Sequence, residues 1–392
     1  MSETQSTQPI KVLHFSSRDE ECGVAKYLKH YINGMADSDT VVNEYFGVSP
    51  YATYDMSPTD IQKMARDLQN QLKDYDILHV QHEFGLYAHD SFRQIVEAGR
   101  RAHKKVMVTV HTSPDLASKP VRLRGLGPHS VMHYLREKRH RQHFLQMQAL
   151  PFRLADAILA HNNLTINALK NLGVQPERIH KTIHPVQSHD VPAPTTDIAT
   201  HLHKQPGDVV FCTTGFLHRY KGIIEAVKAL TFLPPNYKLA VLGGMKADSD
   251  DVAFYDKVCD LINALGVTDR VYITGYVPND DVLNAYIREC DVSVYPYDRV
   301  YYSHVSSGSL NLSFSNGMPA IAYPTETLKE MAELSDQAVV LCETFSYYEL
   351  ARELQRIDLK KQRERSKAYA QKMAWPKMSE ELVALYHEML GR

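Results

Sequence analysis

The chain has 392 residues, of which 44% are hydrophobic and 23% are charged, and its formal net charge is −2. This length predicts two domains, and the composition is that of a soluble globular protein. The near-neutral charge gives no argument for nucleic acid as a partner, and no apolar run is long enough to span a membrane. The polar N-terminus and five widely spaced cysteines predict a cytoplasmic protein with reduced thiols.

Short apolar runs alternate with longer amphipathic stretches along the first half of the chain. The predicted strands are 11–15, 77–80, 106–110 and 157–160, and the clearest predicted helices are 25–35 and 90–101. Such alternation is typical of parallel strands that helices cover on both faces. The sequence therefore predicts a doubly wound α/β sheet.

The alternation stops at a proline- and threonine-rich stretch and then begins again. We predict a first domain over 1–187, a linker over 188–208 and a second α/β domain over 209–374. The strands predicted in the second domain are 209–214, 238–242, 271–273, 292–294 and 320–322. A final helix follows the Trp375-Pro376 break.

The segment 213–222 is predicted to be a turn between a strand and a helix. It has a glycine near each end, Gly215 and Gly222, and two cations between them, Arg219 and Lys221. Backbone N–H groups and a lysine at the start of a helix form a cradle for phosphate oxygens. An ordinary βα turn whose charges face water would have the same pattern.

Polar residues follow the predicted strands of the first domain. His82 and Glu83 come directly after one strand, and His111 after the next, whereas Gly23 opens the first helix. The carboxyl ends of parallel strands are where such sheets place their chemistry. His82 and Glu83 either line a binding site or hold a loop by hydrogen bonds.

These motifs, in this order along almost the whole chain, resemble those of the family 4 glycosyltransferases, which have the GT-B fold. The turn 213–222 is similar to the family's donor-phosphate turn, Cys22 to Ala25 to its G-G-V-A turn, and Asp76 to Gly85 to its Q-h-E strand end. The resemblance implies two Rossmann-like domains that face each other across a cleft, with the helix 375–392 packed back on the first. It further implies a retaining transferase that takes a nucleotide-diphosphate sugar and needs neither cofactor nor metal.

The resemblance also implies roles for individual residues. His111 would contact the transferred sugar, and Arg219 and Lys221 would stabilise the diphosphate leaving group. His82 and Glu83 would lie on the acceptor side. The implied donor-binding residues are Gly23, Gly215, Lys221, Gly243, Tyr276, Val277, Ser306, Ser307, Gly308, Ser309, Leu310 and Glu330.

The chain departs from the family pattern at three places. Cys22 stands where relatives have the first glycine of the G-G-V-A turn. Relatives often have an arginine where this chain has Phe216, so Arg219 is the candidate substitute. They also carry a pair of glutamates eight positions apart, and those positions hold His304 and Leu312. Glu330 could supply the ribose contacts that the second glutamate makes in relatives.

Two further segments allow a functional and a neutral interpretation. Asp248 to Asp251 imitates a D-x-D metal motif, and we interpret it as a solvated loop. Between Lys119 and His143, a cationic stretch has Glu137 as its single acidic residue. It either meets an anionic acceptor or a membrane surface, or is a solvated helical face. The basic residues of that stretch are Lys119, Arg122, Arg124, Arg136, Lys138, Arg139 and Arg141.

The acceptor is left open, as a glycan, a lipid-linked molecule or another hydroxyl compound, and location at the inner face of a membrane is a second possibility beside the cytoplasm. Two other functions stay open as well. A nucleotide-sugar epimerase uses similar twin domains, but it needs catalytic carboxylates that the sequence does not locate. A non-catalytic partner subunit of an active transferase would explain the missing glutamate pair.

Overall fold

In a computed structural model of the chain, the structure describes residues 8–18, 22–36, 38–47, 52–114, 127–186, 196–245, 249–299 and 307–392. These residues form two compact units. The first unit contains the described residues up to Ile183 together with Trp375–Arg392, and the second contains those from His184 to Ala374. Each unit is built on one sheet of six parallel strands.

The first unit has strand order β2-β1-β3-β4-β5-β6. Its strands are β1 (Ile10–Phe15), β2 (Val41–Tyr45), β3 (Ile77–His82), β4 (Lys105–Val110), β5 (Ala157–Ala160) and β6 (Ile179–Lys181). Its helices are α1 (Gly23–Gly34), α2 (Pro58–Gln71), α3 (Ser91–Arg101), α4 (Pro128–Phe144), α5 (Asn163–Asn171) and, from the end of the chain, α14 (Trp375–Leu390). The last helix packs against α1.

Alternation along the strands gives the two faces of the first sheet different chemistry. Leu78 and Val80 of β3, like Val106 and Val108 of β4, belong to an apolar core that also contains residues of α2 and α3. The intervening positions of β3, including His79, point to the opposite face, because successive side chains of a strand alternate. Polar residues on that face are equally buried.

The second unit has strand order β12-β11-β10-β7-β8-β9, which is the Rossmann order 3-2-1-4-5-6 read from the other edge. Its strands are β7 (Val209–Thr214), β8 (Tyr237–Leu242), β9 (Val271–Ile273), β10 (Val292–Tyr295), β11 (Ala320–Ala322) and β12 (Val339–Leu341). Its helices are α6 (Ile198–His201), α7 (Ile223–Ala229), α8 (Ser249–Ala264), α9 (Asp280–Glu289), α10 (Gly308–Ser315), α11 (Glu326–Leu334), α12 (Tyr347–Arg356) and α13 (Leu359–Lys372).

The predicted doubly wound α/β class is confirmed for both units, and every predicted strand is present. The sequence analysis missed β2, β6 and β12, which lie at or near sheet edges; β6 and β12 have three residues each. Part of the predicted linker differs from the expectation. Its residues 198–202 include α6, which places Ile198 and Leu202 in the core of the second unit, since residues four apart share one helical face. The last helix begins at Trp375, because a proline is tolerated in the first turn.

The strand orders locate one reversal point in each sheet. Strand order reverses between β1 and β3 in the first unit and between β7 and β10 in the second. In open parallel sheets, ligands bind beyond the carboxyl ends of the strands at such a point. The segments that follow these strands are therefore where each unit is expected to bind a ligand.

Candidate functional site

The turn after β7 depends on two glycines. Gly215 has a φ of +101° and Gly222 a φ of +71°, a region that side chains with a Cβ rarely adopt. A Cβ on Gly222 would lie 1.9 Å from the carbonyl oxygen of Pro296, which follows β10. Only glycine therefore lets the start of α7 lie against the segment after β10.

Lys221 lies at the reversal point of the second sheet. Its Nζ donates to the Oγ of Ser309 at 3.2 Å and to the hydroxyl of Tyr297 at 3.4 Å. The same ammonium lies 5.1 Å from the centroid of the Tyr297 ring, within the range of a cation–π interaction. Ser309 in turn donates to the carbonyl oxygen of Thr214 at 3.1 Å. The cation is thus held between the ends of β7 and β10 and the first turn of α10.

The N-terminus of α10 lies beside this cation, since Ser309 in its first turn bonds the ammonium of Lys221. Ser307 is its N-cap residue, and its Oγ accepts from the backbone N–H of Leu310 at 3.1 Å. Tyr297 hydrogen-bonds the same hydroxyl at 2.9 Å, and Tyr295 donates to the carbonyl oxygen of Ser309 at 2.9 Å. A Cβ on Gly308 would meet nothing within 4 Å, so the first turn is open on that side. A helix N-terminus beside a lysine is an anion-binding arrangement.

A second group of predicted donor-site residues lies after β8 and β9. Gly243 has a φ of +156°, and a Cβ there would lie 2.0 Å from the carbonyl oxygen of Gly215. A Cβ on Gly244 would lie 2.2 Å from the backbone nitrogen of Tyr276. Close backbone packing therefore joins the segments after β7, β8 and β9, and the structure brings Gly215, Gly243 and Tyr276 together.

Phe216 and Tyr276 form a stacked pair. Their ring centroids are 5.7 Å apart and their planes differ by 5°. Tyr276 is 43% exposed, so its ring presents a surface on which another flat group could stack. Val277 beside it is half-buried, and Arg219 is exposed in the turn that contains Lys221.

The remaining predicted donor-site residues are less closely connected to this cluster. Ser306 and His304 lie outside the described residues. Leu310 is buried and Leu312 packs against an apolar cluster that contains Met318, so no carboxylate occupies the second glutamate position. Glu330 is half-buried in α11.

In the first unit, His111 follows β4 and contacts residues from three neighbouring segments. Its Nε2 lies 3.0 Å from the Oε1 of Gln81, and its ring meets the Tyr27 ring edge-on at 4.7 Å. The ring of His161, which follows β5, is 5.6 Å away. Gly23 begins α1, the helix that carries Tyr27, and a Cβ on it would meet nothing within 4 Å.

Glu83 bonds Thr112, the residue after His111, whereas His82 does not reach an open surface. Thr112 donates to the carboxylate of Glu83 at 2.5 Å, a contact that the loop-holding interpretation predicts. Burial raises the pKa of Glu83. His82 is fully buried, and aromatic rings surround it, with Phe92 at 4.2 Å.

The buried state of His82 has an electrostatic consequence. Neither of its ring nitrogens has a hydrogen-bond partner in another described residue. Desolvation lowers its pKa from 6.5 to about 3, so the ring is neutral at pH 7. In this structure, His82 acts as an aromatic core residue and offers nothing to an acceptor.

Two residues in these clusters were missed by the sequence analysis. Tyr297 is 1% exposed and accepts a hydrogen bond from Lys221. Gln81 is fully buried and bonds His111. Gln81 left a signal, because a glutamine inside a buried strand needs a hydrogen-bond partner and this one belongs to the Q-h-E segment. Tyr297 left none, since tyrosines are common in cores.

Other predicted features concern metals and membranes. Among the described residues, no group of three or more His, Cys, Asp or Glu side chains is placed to hold a metal ion. Asp248 lies outside the described residues, as do the side chains of Asp250 and Asp251. No helix in the described ranges is both long and apolar enough to cross a bilayer.

The basic stretch is only partly described. Lys119, Arg122 and Arg124 lie outside the described residues. The other cations belong to α4, where Arg136, Lys138 and Arg139 are exposed and Arg141 is half-buried. Three apolar residues of the same helix are exposed too: Val131 by 39%, Met132 by 65% and Leu135 by 57%.

Comparison with known families gives the class of this protein. Residues 195–373 match the family model of glycosyl transferases group 1, and residues 29–184 match that of glycosyltransferase family 4. Two Rossmann-type units with these matches define a GT-B glycosyltransferase. The chain belongs to the family 4 type of the GT-B glycosyltransferases, and the predicted resemblance is confirmed.

Solved structures agree with this assignment of the fold. HepE (Alr3699) of Anabaena, in complex with UDP, has a TM-score of 0.69 at 14% identity, over 97% of this chain and 100% of that chain. The sucrose-phosphate synthase of Thermosynechococcus elongatus has a TM-score of 0.69 at 16% identity, over 98% and 100%. WaaG, a glycosyltransferase involved in lipopolysaccharide biosynthesis, has a TM-score of 0.59 at 16% identity, over 96% and 99%. No curated protein sequence matches the chain.

Proposed function

We propose that this glycosyltransferase moves a sugar, with retention of anomeric configuration and without a metal ion, from a nucleotide-diphosphate sugar to a hydroxyl acceptor. The observation that carries the proposal is the cluster of Lys221, Ser309 and Tyr297 at the N-terminus of α10. It combines a fixed cation with backbone donors at the reversal point of a parallel sheet. This is the arrangement that binds phosphate oxygens.

The chemistry of the leaving group fits this cluster. When the bond between sugar and phosphate breaks, negative charge develops on the diphosphate. A lysine ammonium and a helix N-terminus are positive groups that stabilise such charge, and Arg219 is a second cation in the same turn. The charge stabilisation that a metal would supply therefore has a source in the chain itself.

The similar structures suggest which donor to test first. HepE has been solved with UDP, with UDP and glucose, and with UDP-glucose, and the trehalose-6-phosphate protein of E. coli with UDP-2-fluoro glucose. We therefore propose a uridine diphosphate sugar. The exposed ring of Tyr276 would stack on the base, and His111 in the first unit would meet the transferred sugar.

The proposed acceptor is a glycan or a lipid-linked molecule, and α4 would meet an anionic membrane surface. The exposed Met132 and Leu135 lie beside exposed cations on this helix, a combination that suits the interface of a bilayer. WaaG, which is similar in fold, is a glycosyltransferase of lipopolysaccharide biosynthesis.

The membrane proposal is tested with vesicles that contain or lack anionic lipid. A variant with Arg136, Lys138, Arg139 and Arg141 changed to Gln is expected to lose co-sedimentation with anionic vesicles. The matched control changes four cations of α13, Lys360, Lys361, Arg363 and Lys367, in the second unit. Equal sedimentation of wild type and the α4 variant would contradict membrane contact through this helix.

The donor proposal is tested by thermal-shift binding of UDP-, GDP-, ADP- and dTDP-sugars, each with and without magnesium. We expect one class to raise the melting temperature, equally with and without magnesium, and Lys221→Ala to abolish the shift. The control is Lys228→Ala, because Lys228 lies on α7 but pairs with Glu225.

One observation favours a second candidate function. Leu312 packs in an apolar cluster where relatives carry a glutamate, which would suit a non-catalytic subunit that stabilises an active transferase. No shift with any of the four nucleotide sugars would favour this subunit over the enzyme. Hydrolysis of the donor by the purified chain would contradict it, and conversion of one nucleotide sugar into its epimer would instead indicate an epimerase.

A further inference from the structure

A row of buried polar side chains crosses the first sheet. His14, His79, Gln81 and Thr109 lie on the face of β1, β3 and β4 opposite to the apolar core, and each is at most 1% exposed. Tyr386 of α14 contacts this face. The register places His14 beside His79 and Gln81 beside Thr109. Parallel strands that are buried on both faces are ordinarily apolar, so this row needs an explanation.

Hydrogen bonds connect the row from α14 to the end of β4. The hydroxyl of Tyr386 on α14 lies 2.7 Å from the Nδ1 of His79. The Nε2 of His79 lies 2.8 Å from the Oγ1 of Thr109 and 3.3 Å from the Nε2 of Gln81. The other end of the Gln81 amide, its Oε1, lies 3.0 Å from the Nε2 of His111.

The protonation of His79 follows from its burial. Desolvation and the nearby His14 lower the pKa of His79 well below its usual value, so the ring is neutral and has one N–H and one lone pair. The amide nitrogen of Gln81 can only donate. The lone pair of His79 is therefore on Nε2, and its Nδ1–H donates to the oxygen of Tyr386.

The same logic reaches His111. With its nitrogen turned to His79, Gln81 presents its carbonyl oxygen to His111, and a carbonyl oxygen can only accept. The Nε2 of His111 must then carry a proton. In the neutral ring the lone pair is on Nδ1, which can accept a hydrogen bond from a hydroxyl group. The tautomer of a histidine is set by the bond that its other nitrogen makes.

We propose that Gln81 is a positioning residue that fixes the tautomer of His111, and that Tyr386 and His79 orient Gln81. The inference rests on the proposed function in one respect, that His111 meets the transferred sugar. The relay then makes Nδ1 of His111 an acceptor for a sugar hydroxyl. It also gives the C-terminal helix a role in the chemistry of the first unit beyond packing.

The relay predicts that the proton of His111 moves when a distant hydroxyl is removed. In Tyr386→Phe, the Nδ1–H of His79 loses its acceptor, so its proton is expected to shift toward Nε2 and bond Thr109. The amide of Gln81 then turns over and donates to His111. As a result, part of the His111 population should carry its proton on Nδ1.

The experiment is NMR of the full chain with 15N-labelled histidine at pH 7.5, since protonated and unprotonated ring nitrogens have very different 15N frequencies. The signals of His111 are assigned by their absence in His111→Asn. Wild type should show a protonated Nε2, Gln81→Leu should lose this preference, and Tyr386→Phe should weaken it. The control is Ser379→Ala, which removes a buried hydrogen bond from α14 to the carbonyl oxygen of Tyr31 but leaves the relay intact.

The outcomes separate this inference from the proposed function, because the tautomer is measured without donor or acceptor. An unchanged His111 tautomer in Gln81→Leu, with the melting temperature and backbone spectrum of a folded protein, would overturn the role of Gln81. An unchanged tautomer in Tyr386→Phe would overturn the relay beyond Gln81. A change in Ser379→Ala as large as that in Tyr386→Phe would mean that α14 acts only through packing.

Discussion

The carboxyl edges of the two sheets use opposite means to prepare a polar site. In the second unit, the ammonium of Lys221 lies beside the N-terminus of α10. In the first, neutral and buried groups are joined by hydrogen bonds that end at His111. A fixed charge suits a charged ligand such as a diphosphate, whereas a chain of neutral donors and acceptors suits an uncharged one such as a sugar.

The two edges also differ in what keeps them in shape. The turn of the second unit depends on two glycines at positive φ, and a Cβ on Gly222 would meet the backbone of Pro296, so its geometry is set by the main chain. The row in the first unit depends on hydrogen bonds between buried side chains. We therefore expect substitutions to act on the two edges through different variables: backbone strain in the second and protonation in the first.

The largest expected effect is that of Gly222→Ala. The new Cβ would lie 1.9 Å from the Pro296 carbonyl oxygen at a φ of +71°, so either the turn or the segment after β10 must move. We expect a loss of about 4 kcal/mol in the free energy of unfolding, measured with urea, because this substitution combines a clash with backbone strain.

Gly266→Ala is the matched control for Gly222→Ala. Its φ is +64°, but a Cβ there would meet nothing within 4 Å. Its free energy of unfolding should therefore fall by about 1 kcal/mol, the cost of the left-handed conformation alone. Equal losses in the two variants would mean that the close approach to Pro296 does not shape the turn.

The second largest expected effect is a loss of stability of the first unit at acidic pH. Burial lowers the pKa of His14 to about 4 and that of His82 to about 3, from 6.5. Below pH 6.5 these two histidines bind protons in the unfolded chain but stay neutral in the folded unit. The free energy of unfolding therefore falls as the pH is lowered below 6.5. Between pH 6.5 and 5 each histidine should lower the free energy of unfolding by about 2 kcal/mol.

His82→Phe isolates one of these histidines. Phenylalanine keeps an aromatic ring among the neighbours of His82 but does not titrate. The loss of unfolding free energy between pH 6.5 and 5 should shrink by about 2 kcal/mol, whatever the variant costs in packing at neutral pH. A slope identical to that of wild type would show that His82 is not the neutral core residue described above.

The smallest effect is that of Ser307→Ala. This residue caps α10, and the loss of its hydroxyl should cost about 1 kcal/mol of stability. The same hydroxyl bonds Tyr297, which accepts a hydrogen bond from Lys221. Donor binding should therefore weaken as well. Ser346→Ala removes the cap of α12 and should cost stability alone. Equal donor binding by the two variants would contradict the link from Ser307 to the cluster.

The sequence predicted the second edge better than the first. The glycines and cations of 213–222 lie close together in the chain, so the sequence alone located them in one turn after a strand. The long-range partners of Lys221 were not, because Tyr297 and Ser309 come from segments that only the sheet order brings together.

In the first unit, the sequence indicated which residues end the strands but not which way they point. His82 and His111 look alike in sequence, as single histidines after predicted strands. Because side chains alternate along β3, the ring of His82 points into the apolar core, whereas His111 lies at the end of the buried polar row. One residue of register separates the two roles, and the sequence pattern alone did not resolve it.

Lys221 and the start of α10 are proposed to hold the donor diphosphate. This proposal is tested most directly by calorimetric titration of UDP into wild type, Lys221→Ala and Lys228→Ala. Loss of a charged hydrogen bond should weaken UDP binding about 10- to 100-fold in Lys221→Ala and leave Lys228→Ala at the affinity of wild type. Equal affinity of Lys221→Ala and wild type for UDP would contradict the account.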